Sequence, residues 1–252
     1  MGGINYFGED EAAARYARYR PYVHDLIAAR IGAVTGHVVE ALDVGCGTGQ
    51  SARALLDWAD RVTGADISAA MLAHVPHEPR LSFVETPAET LPFADASFDL
   101  VASGLAFHWF DQPAFLAEAR RVLRSSGWLA LYNHGFTGAM VHDHAYEAWH
   151  RNIYYSRFPD PPRNLHSGGE GQWSRAGFTP VQQDIFTNDV LLSLEDWAGY
   201  LTTRSNVIAC LEEGREQLDA VNDWLRREGA PFFRDAPRMF RFACKLDLYR
   251  TR

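Results

Sequence analysis

The sequence predicts an α/β fold: a seven-stranded, mostly parallel sheet with an antiparallel last strand, covered by helices on both faces. Between about residues 38 and 135, short apolar runs alternate with segments of helical spacing. Apolar strands separated by helices are typical of parallel sheets that are buried on both faces. Near the end of the chain, two segments alternate between polar and apolar residues, as strands with one exposed face do. A chain of 252 residues is long enough for one large domain or for a domain with a lid.

The first five strands are predicted from continuous apolar runs, each closed by a turn signal. They are expected at 38–45, 61–67, 81–87, 98–104 and 128–135. Helical spacing predicts the intervening helices at 50–59, 68–75 and 112–123. Ser68 is a suitable N-cap for the second of these helices, and Gly127 supplies the turn after the third.

The remaining elements are less regular. Residues 180–193 and 239–251 alternate like strands, and two helical stretches near 194–204 and 211–228 lie between them. Residues 136–178 contain several prolines and glycines, many aromatic residues and little periodicity. A segment of this length inside a compact domain is usually a lid or a binding loop. We therefore expect it to cover an apolar pocket.

Composition excludes several classes of function. The net charge of −8 argues against a broad nucleic-acid or anionic-membrane surface, and no apolar run reaches 18 residues. The N-terminal residues lack the apolar core of a secretory signal. Three widely spaced cysteines indicate reduced thiols in a cytoplasmic protein. His142 and His144 lack the acidic partners of a metal site, so no metal is expected.

The stretch "ALDVGCGTGQSA" at 41–52 is the strongest functional signal. It lies at the carboxyl end of the first predicted strand, where open α/β sheets bind ligands. Its glycines follow the spacing G-x-G-x-G: a dinucleotide loop would need glycine where Gln50 stands, and no Lys-Ser/Thr pair of a triphosphate loop follows. A plain tight turn is the alternative interpretation.

Asp66 supports the interpretation as a ligand-binding loop. It ends the second predicted strand, about twenty residues after the first glycine of the loop, where a carboxylate can accept hydrogen bonds from a ribose diol. An aspartate at a strand end can also be only a cap or turn residue. With the glycine loop, however, a nucleoside ligand is favoured, and Ile67 and Met71 could flank its adenine ring.

Several motifs together resemble the class I S-adenosylmethionine-dependent methyltransferases. The matching stretches are "LDVGCGTG" (42–49), "GADIS" (64–68), "PAETLPFADASFDLV" (87–101), "LAFHWF" (105–110) and "EARRVLRSSGWLAL" (118–131). The resemblance implies a Rossmann-like fold and S-adenosyl-L-methionine as cofactor. The shorter pieces "YARYRPYV" (16–23), "FHWFD" (107–111) and "SLEDWAGYLTTRSNV" (193–207) resemble the trans-aconitate methyltransferase-like, or methyltransferase type 11, branch, whose members include small-carboxylate O-methyltransferases.

The resemblance also implies roles for individual residues. The methionyl half of the cofactor would contact Gly45, Cys46, Gly47 and Gly49, and Asp43 would hold its amine through the loop or a water. Asp66 would take the ribose hydroxyls, Ala88 and Glu89 would lie at adenine, and the Ser103 carbonyl would approach the amine. Many relatives have aspartate before the Ala-Glu pair, whereas this chain has Pro87, whose side chain cannot bind the adenine amine.

Residues at the mouth of the sheet are candidates for catalysis and substrate binding. His108 and His134 are the candidate bases; either could instead pack and bond locally. Trp109 is expected to form a pocket wall, and Asn133 ends the fifth predicted strand. Tyr16, Tyr19 and Arg20 either face the core or form a lid in which the arginine pairs with a carboxylate. Arg204 is the second candidate cation.

The sequence therefore predicts a methyltransferase that acts on a small organic molecule, by O-methylation of a carboxylate or hydroxyl. Two alternatives stay open: an enzyme of this fold that performs cyclisation or elimination, and a non-catalytic module that binds S-adenosylmethionine. We expect one domain over 1–252, with N-terminal lid helices at 1–35 and the cofactor-binding core at 36–135. Substrate-lid insertions are expected at 136–178 and 194–231, and edge strands at 179–193 and 239–251.

Overall fold

The protein folds around one seven-stranded sheet. Its structure is a computed structural model that describes residues 10–161 and 171–252. The strands are β1 (Val38–Val44), β2 (Ala59–Asp66), β3 (Leu81–Glu85), β4 (Phe98–Gly104), β5 (Leu123–Met140), β6 (Phe178–Leu192) and β7 (Arg238–Thr251). Their order in the sheet is β3-β2-β1-β4-β5-β7-β6. The first five strands are parallel, and β7 pairs antiparallel with both β5 and β6. The predicted fold class is confirmed.

Helices precede the sheet, connect its strands and extend beyond it. They are α1 (Asp10–Tyr19), α2 (His24–Thr35), α3 (Gln50–Leu55), α4 (Ala69–Leu72), α5 (Gln112–Val122), α6 (His144–Trp149), α7 (Tyr155–Arg157), α8 (Gln172–Arg175), α9 (Leu194–Thr202), α10 (Ser205–Glu212) and α11 (Leu218–Phe233). A 3-10 turn covers Phe107–Trp109, and a π-helical turn covers His150–Tyr154. The side chain of Ser68 caps α4 as predicted, by accepting from the amide of Met71.

The central strands are buried because successive side chains enter two different cores. In β4, Leu100 and Ala102 belong to the core beneath α2 and α3, whereas Val101 belongs to the core beneath α5. This alternation covers both faces of the parallel part of the sheet, as continuous apolar strands predict. It leaves the carboxyl ends of β1, β2 and β4 as one uncovered edge for ligands.

A third core lies at the other end of the sheet and is mostly aromatic. It joins α6, α9 and α11 to the ends of β5 and β7 around the fully buried Tyr146, Trp197 and Phe240. The Trp197 indole donates to the Tyr146 hydroxyl at 2.7 Å, which satisfies both buried polar groups. The helical layer is therefore a packed extension of the domain.

The segment at 136–178 differs from the prediction of an irregular loop. β5 continues to Met140, because its pairing with β7 extends to Met140 and Phe240. It is followed by α6, the π-helical turn and α7, while α8 precedes β6; residues 162–170 lie outside the described part. The many aromatic residues here form a core with distant helices, and such a core leaves no local periodicity. The last helix also begins later than predicted, at Leu218.

Candidate functional site

The glycine loop is an ordered turn between β1 and α3, held by Asp66. Gly45, Gly47 and Gly49 have φ angles of +72°, +55° and +76°, which L side chains rarely adopt. One carboxylate oxygen of Asp66 accepts from the Gly47 amide at 2.7 Å, and the other accepts from the Ser68 amide at 2.9 Å. The end of β2 therefore fixes the conformation of the loop on β1.

A cavity of about 650 Å³ opens above this loop, at the carboxyl ends of β1, β2 and β4. Its lining includes eleven residues that the sequence predicted for the site: Tyr16, Gly45, Cys46, Gly47, Asp66, Ile67, Met71, Ala88, Glu89, His108 and Trp109. The lining also includes residues that the prediction missed, namely His24, Val44, Thr48, Gln50, Ser51, Ser68, Thr86, Gly104, Leu105, Ala106, Phe110, Pro161 and Glu213, together with Pro87. The motifs therefore converge on one concave site.

The other predicted site residues do not line the cavity: Asp43, Gly49, Tyr19, Arg20, Ser103, Asn133, His134 and Arg204. Asp43 and Ser103 are fully buried in β1 and β4 below its floor. Gly49 is buried where the loop enters α3, and a Cβ there would approach Phe83 and Pro76 to 2.9 Å. The Tyr19 ring packs on Gly199 of α9, where an added Cβ would overlap it.

Asp43 is fully buried. The Ser51 hydroxyl is hydrogen-bonded to its Oδ2, and its Oδ1 has no hydrogen-bond partner among the described residues. Burial raises the pKa of Asp43 to about 7. The carboxyl group is therefore half protonated near neutral pH.

His24 is an imidazole in the cavity wall that the sequence prediction missed. It begins α2, and its Nδ1 lies 2.8 Å from the hydroxyl of Tyr132 on β5. Burial lowers the pKa of His24 to about 4, so the ring is neutral at physiological pH. The local sequence "RPYVHDL" gives no periodic signal for this role, because its partner is 108 residues away.

His108 and Trp109 lie in the 3-10 turn after β4, with ring centroids 4.7 Å apart. The nearby Glu89 carboxylate accepts from the amide of Asp111, the N-cap residue of α5. This bond fixes one wall of the cavity to the helix that follows. An imidazole and an indole are thereby presented beside the glycine loop, where an acceptor group could be positioned.

Arg20 and Arg204 lie outside the cavity lining, and both contact aromatic side chains. The Arg20 guanidinium stacks on Tyr16 at 4.7 Å and on Tyr200 at 5.5 Å, and donates to the Thr203 carbonyl at 2.7 Å. Arg204 donates to the Tyr155 hydroxyl at 2.8 Å. Arg20 thus contacts Tyr16, which lines the cavity, whereas Arg204 lies over the rings of Phe136, Tyr154 and Tyr155.

Asn133 and His134 do not reach the cavity, because β5 continues past them and pairs with β7. Asn133 is exposed, and the buried His134 ring stacks on Phe242 with centroids 4.6 Å apart. Burial lowers the pKa of His134 to about 3. The same effect lowers the pKa of His150 to about 3. These rings are neutral packing groups in the folded protein.

We predict that acid destabilises the protein partly through these histidines. Below about pH 6.5 the unfolded chain binds protons at histidines that the folded protein keeps neutral. The free energy of unfolding therefore decreases as the pH is lowered. His134→Phe, which can keep the stack on Phe242, should reduce this slope by up to about 1.4 kcal/mol per pH unit. Urea unfolding between about pH 4 and 6.5 measures it, with the exposed His144→Phe as control. An unchanged slope in His134→Phe would contradict the neutral state.

Other site types are not found in the part of the chain that the structure describes. Residues 10–161 and 171–252 contain no cluster of three or more histidine, cysteine or acidic side chains able to hold a metal ion. In the same ranges, no helix is both long and apolar enough to cross a membrane. All three cysteines are buried and unpaired by disulfides, and burial raises the pKa of the Cys46 thiol in the loop.

Comparisons with known proteins agree with this geometry. Residues 42–131 match the family model of a methyltransferase domain. The chain is 33% identical over 204 residues to a malonyl-[acyl-carrier protein] O-methyltransferase of Erwinia pyrifoliae, covering 76% of this chain and 73% of that protein. A protein of the same name from Pseudescherichia vulneris is 29% identical over 208 residues, covering 81% and 77%.

Solved structures show the same fold at lower sequence identity. A protein from Anaeromyxobacter dehalogenans, provisionally assigned as a type II methyltransferase, superposes with a TM-score of 0.72 and 24% identity over 93% of this chain and 98% of that one. The [4+2]-cyclase SpnF superposes with a TM-score of 0.52 and 20% identity, over 90% and 80%. The fold alone therefore does not determine which reaction is catalysed. The family is shown by the similarity in sequence. The chain belongs to the class I S-adenosylmethionine-dependent methyltransferases, in the methyltransferase type 11 branch.

Proposed function

We propose that this methyltransferase O-methylates a carboxylate group of a small organic molecule. The observation that carries the proposal is the chemistry of the cavity wall beside the glycine loop. Its imidazoles are His24, which burial keeps neutral down to about pH 4, and His108. An acceptor that is already ionised, such as a carboxylate, needs no base to remove a proton.

The lining fits the cofactor that the family uses. Asp66 lines the cavity at the end of β2, where we propose that it binds the ribose hydroxyls. The glycine loop allows close approach of the methionyl half, since a side chain at Gly47 would project into the lining. Ala88 and Glu89 border the adenine end in this arrangement, and Ile67 and Met71 flank the ring.

The cofactor, when bound, supplies a methyl group activated by its sulfonium. The protein must then align the acceptor for in-line attack and exclude water from the reacting groups. Trp109, Leu105 and Phe110 follow β4 and supply apolar surface for this purpose. We propose that the lid is formed by the N-terminal helices α1 and α2 together with the described helices that lie between β5 and β7.

Two further observations support an anionic acceptor. The similar proteins from Erwinia pyrifoliae and Pseudescherichia vulneris are both named as O-methyltransferases of a malonyl group, which carries a carboxylate. The Arg20 guanidinium lies behind Tyr16, and its buried Nε has no hydrogen-bond partner among the described residues. Arg20 therefore places a positive charge one ring away from the cavity, where it favours an anion inside.

The direct test is methyl transfer from cofactor labelled in its methyl group to a panel of carboxylic acids, acyl thioesters with a free carboxylate, phenols and alcohols. A carboxylate acceptor gives a methyl ester that releases labelled methanol in mild alkali, whereas a methyl ether is stable. Labelled ether with no ester would reject the proposal. Turnover of an acceptor without any methyl transfer would favour the cyclisation or elimination alternative.

If the acceptor is a carboxylate, His108 is not a required base. We predict that His108→Ala lowers kcat by less than tenfold, about 1.4 kcal/mol in the activation free energy. The pH–rate profile should lack a rising limb near the ordinary histidine pKa of about 6.5. The exposed His77→Ala, outside the cavity lining, is the matched control. A thousandfold loss in His108→Ala, with activity rising through that pH, would instead indicate a hydroxyl acceptor with His108 as general base.

A further inference from the structure

Four side chains from four separate elements link the cavity wall to the buried carboxyl below its floor. His24 of α2 lines the cavity, and its Nδ1 lies 2.8 Å from the Tyr132 hydroxyl. Tyr132 of β5 is buried, and the Ser51 side chain of α3 lies close enough to its hydroxyl to lower the pKa of Tyr132, against the larger rise that burial causes. Ser51 is hydrogen-bonded to Oδ2 of Asp43 in β1. Hydrogen bonds at both ends and the proximity of Ser51 to Tyr132 in the middle thus arrange four polar side chains in a row from Asp43 to the imidazole.

The surroundings of Asp43 determine the direction in which this chain donates. Its side chain is fully buried, and the Ala52 amide lies close enough to lower its pKa in part, but no described residue makes a well-formed hydrogen bond to Oδ1. An ionised carboxylate with one unpaired oxygen is costly in a dry interior, whereas the neutral acid leaves only a carbonyl oxygen unpaired. With an ionised Asp43 the Ser51 hydroxyl donates to Oδ2. With a protonated Asp43 the acid can donate to Ser51 instead, which lets the Ser51 hydroxyl donate to Tyr132 and the Tyr132 hydroxyl donate to His24 Nδ1. The neutral imidazole then has its proton on Nε2.

Strand order places His24 opposite the nucleoside end of the cavity. Asp66 ends β2, the glycine loop follows β1, and Gly104 ends β4, in the sheet order β2-β1-β4. The Tyr132 ring covers Gly104 so closely that a Cβ there would overlap it. A ligand with its ribose at Asp66 and its chain across the loop thus brings its far end to Gly104 and His24.

We propose that His24 binds the methionyl carboxylate of S-adenosylmethionine by donating its Nε2–H, and that Tyr132, Ser51 and Asp43 are positioning residues that keep the proton there. The assignment rests on the cofactor position given under the proposed function, and it is independent of the acceptor. It adds a cofactor ligand from the start of α2, outside the glycine loop and the strand ends.

The chain makes this contact sensitive to pH. As Asp43 loses its proton around pH 7, Ser51 donates to the carboxylate and each of the following hydrogen bonds reverses its direction. The His24 proton then lies on Nδ1, and Nε2 presents a lone pair to the ligand. Carboxylate affinity should therefore fall as pH rises. Other titratable groups face His24: Tyr22 just before α2, Asp25 on α2, and Tyr132 and His134 on β5. Asp66 is the acid that faces Asp43, and its charge raises the pKa of Asp43 further.

Calorimetric titration without any acceptor tests the inference with two probes. S-adenosylhomocysteine has the methionyl carboxylate, whereas 5′-methylthioadenosine lacks the whole amino-acid end. Between about pH 6 and 8.5, affinity for the first should fall by up to tenfold per pH unit above 7, and affinity for the second should stay flat. His24→Ala should weaken S-adenosylhomocysteine at least tenfold at about pH 6 and leave 5′-methylthioadenosine unchanged.

Two conservative variants separate the contact from a structural role. His24→Gln retains an N–H donor and should restore part of the affinity, whereas Tyr132→Phe keeps the ring over Gly104 but interrupts the chain and should remove the pH dependence. Unchanged binding of 5′-methylthioadenosine shows that each variant is folded. If His24→Ala weakens both probes equally, or neither, the inference is wrong while the carboxylate-acceptor proposal stands. If the wild-type protein binds neither probe, the cofactor position and this inference fail together.

Discussion

Gly47→Val is expected to abolish detectable cofactor binding while leaving the protein folded. Gly47 has a φ of +55°, and an added Cβ would lie 2.9 Å from the Met71 methyl group at the cavity wall. A β-branched residue is a genuine outlier in this conformation, with a backbone cost of roughly 1–2 kcal/mol. Its methyl groups would also occupy lining where the cofactor must approach. We expect the dissociation constant to rise by more than about a thousandfold, or 4 kcal/mol.

The control for Gly47→Val is Gly36→Val. Gly36 has a φ of +71° and no heavy atom within 4 Å of an added Cβ, and it does not line the cavity. It therefore reproduces the backbone strain without the obstruction. Titration calorimetry with S-adenosylhomocysteine measures affinity, and circular dichroism with thermal unfolding measures the fold. Wild-type affinity in Gly47→Val, or an equal loss in both variants, would place the cofactor elsewhere.

Much of the fold could be predicted because its signals are local. The runs of β1 and β4 enter two cores and are therefore apolar at most positions, without the strict alternation of a strand that has one exposed face. The glycine loop and Asp66 could be predicted together, since each lies at a strand end and parallel strands bring those ends to one edge. The structure adds the link between them, the hydrogen bond from the Gly47 amide to the Asp66 carboxylate.

The extension of β5 could not be predicted, because it depends on β7 rather than on local pattern. Residues 136–140 are strand only because the segment around Phe240 pairs with them. Tyr146 and Trp197 pack together although they are 51 residues apart in the sequence. No local periodicity could therefore predict this contact. The aromatic richness of the 136–178 segment predicts the cover of an apolar pocket, whereas Tyr146, Trp149, Tyr154 and Phe158 pack in the aromatic core and do not line the cavity.

For Arg20 and His134, the type of residue indicates a candidate functional group, but the sequence does not predict where the side chain lies in the fold. The position of Arg20 among tyrosines predicts a carboxylate clamp, and in the structure its guanidinium stacks on the neighbouring Tyr16 and on the distant Tyr200 of α9. His134 looked equivalent to His108, since both follow predicted strands. Only the antiparallel pairing of β5 with β7 separates the two imidazoles. His24 had no signal, because its role depends on Tyr132, which no local pattern connects to it.

Asp66→Ala is the second large effect expected, because this carboxylate has two functions. It holds the Gly47 amide at 2.7 Å and the Ser68 amide at 2.9 Å, and its side chain lines the cavity where we place the ribose. Burial raises the pKa of Asp66 overall, and the hydrogen bonds from the Ser68 and Gly47 amides offset part of this rise. Its removal loses hydrogen bonds to a charged group, each worth about 1.5–3 kcal/mol. Affinity for S-adenosylhomocysteine should fall by about a hundredfold, or 2.7 kcal/mol.

Two further variants separate the two functions of Asp66. Asp66→Asn keeps the size of the side chain and an acceptor oxygen but removes the charge, so the loop should keep part of its order while ribose binding weakens. Asp60→Ala is the control on the same strand, since Asp60 is exposed at the opposite end of β2 and bonds only the side chain of His37 among the hydrogen bonds described. We expect affinity to fall in the order wild type and Asp60→Ala, then Asp66→Asn, then Asp66→Ala. If Asp66→Ala matches Asp60→Ala, the carboxylate only closes a turn, and the ribose must bind to another part of the cavity.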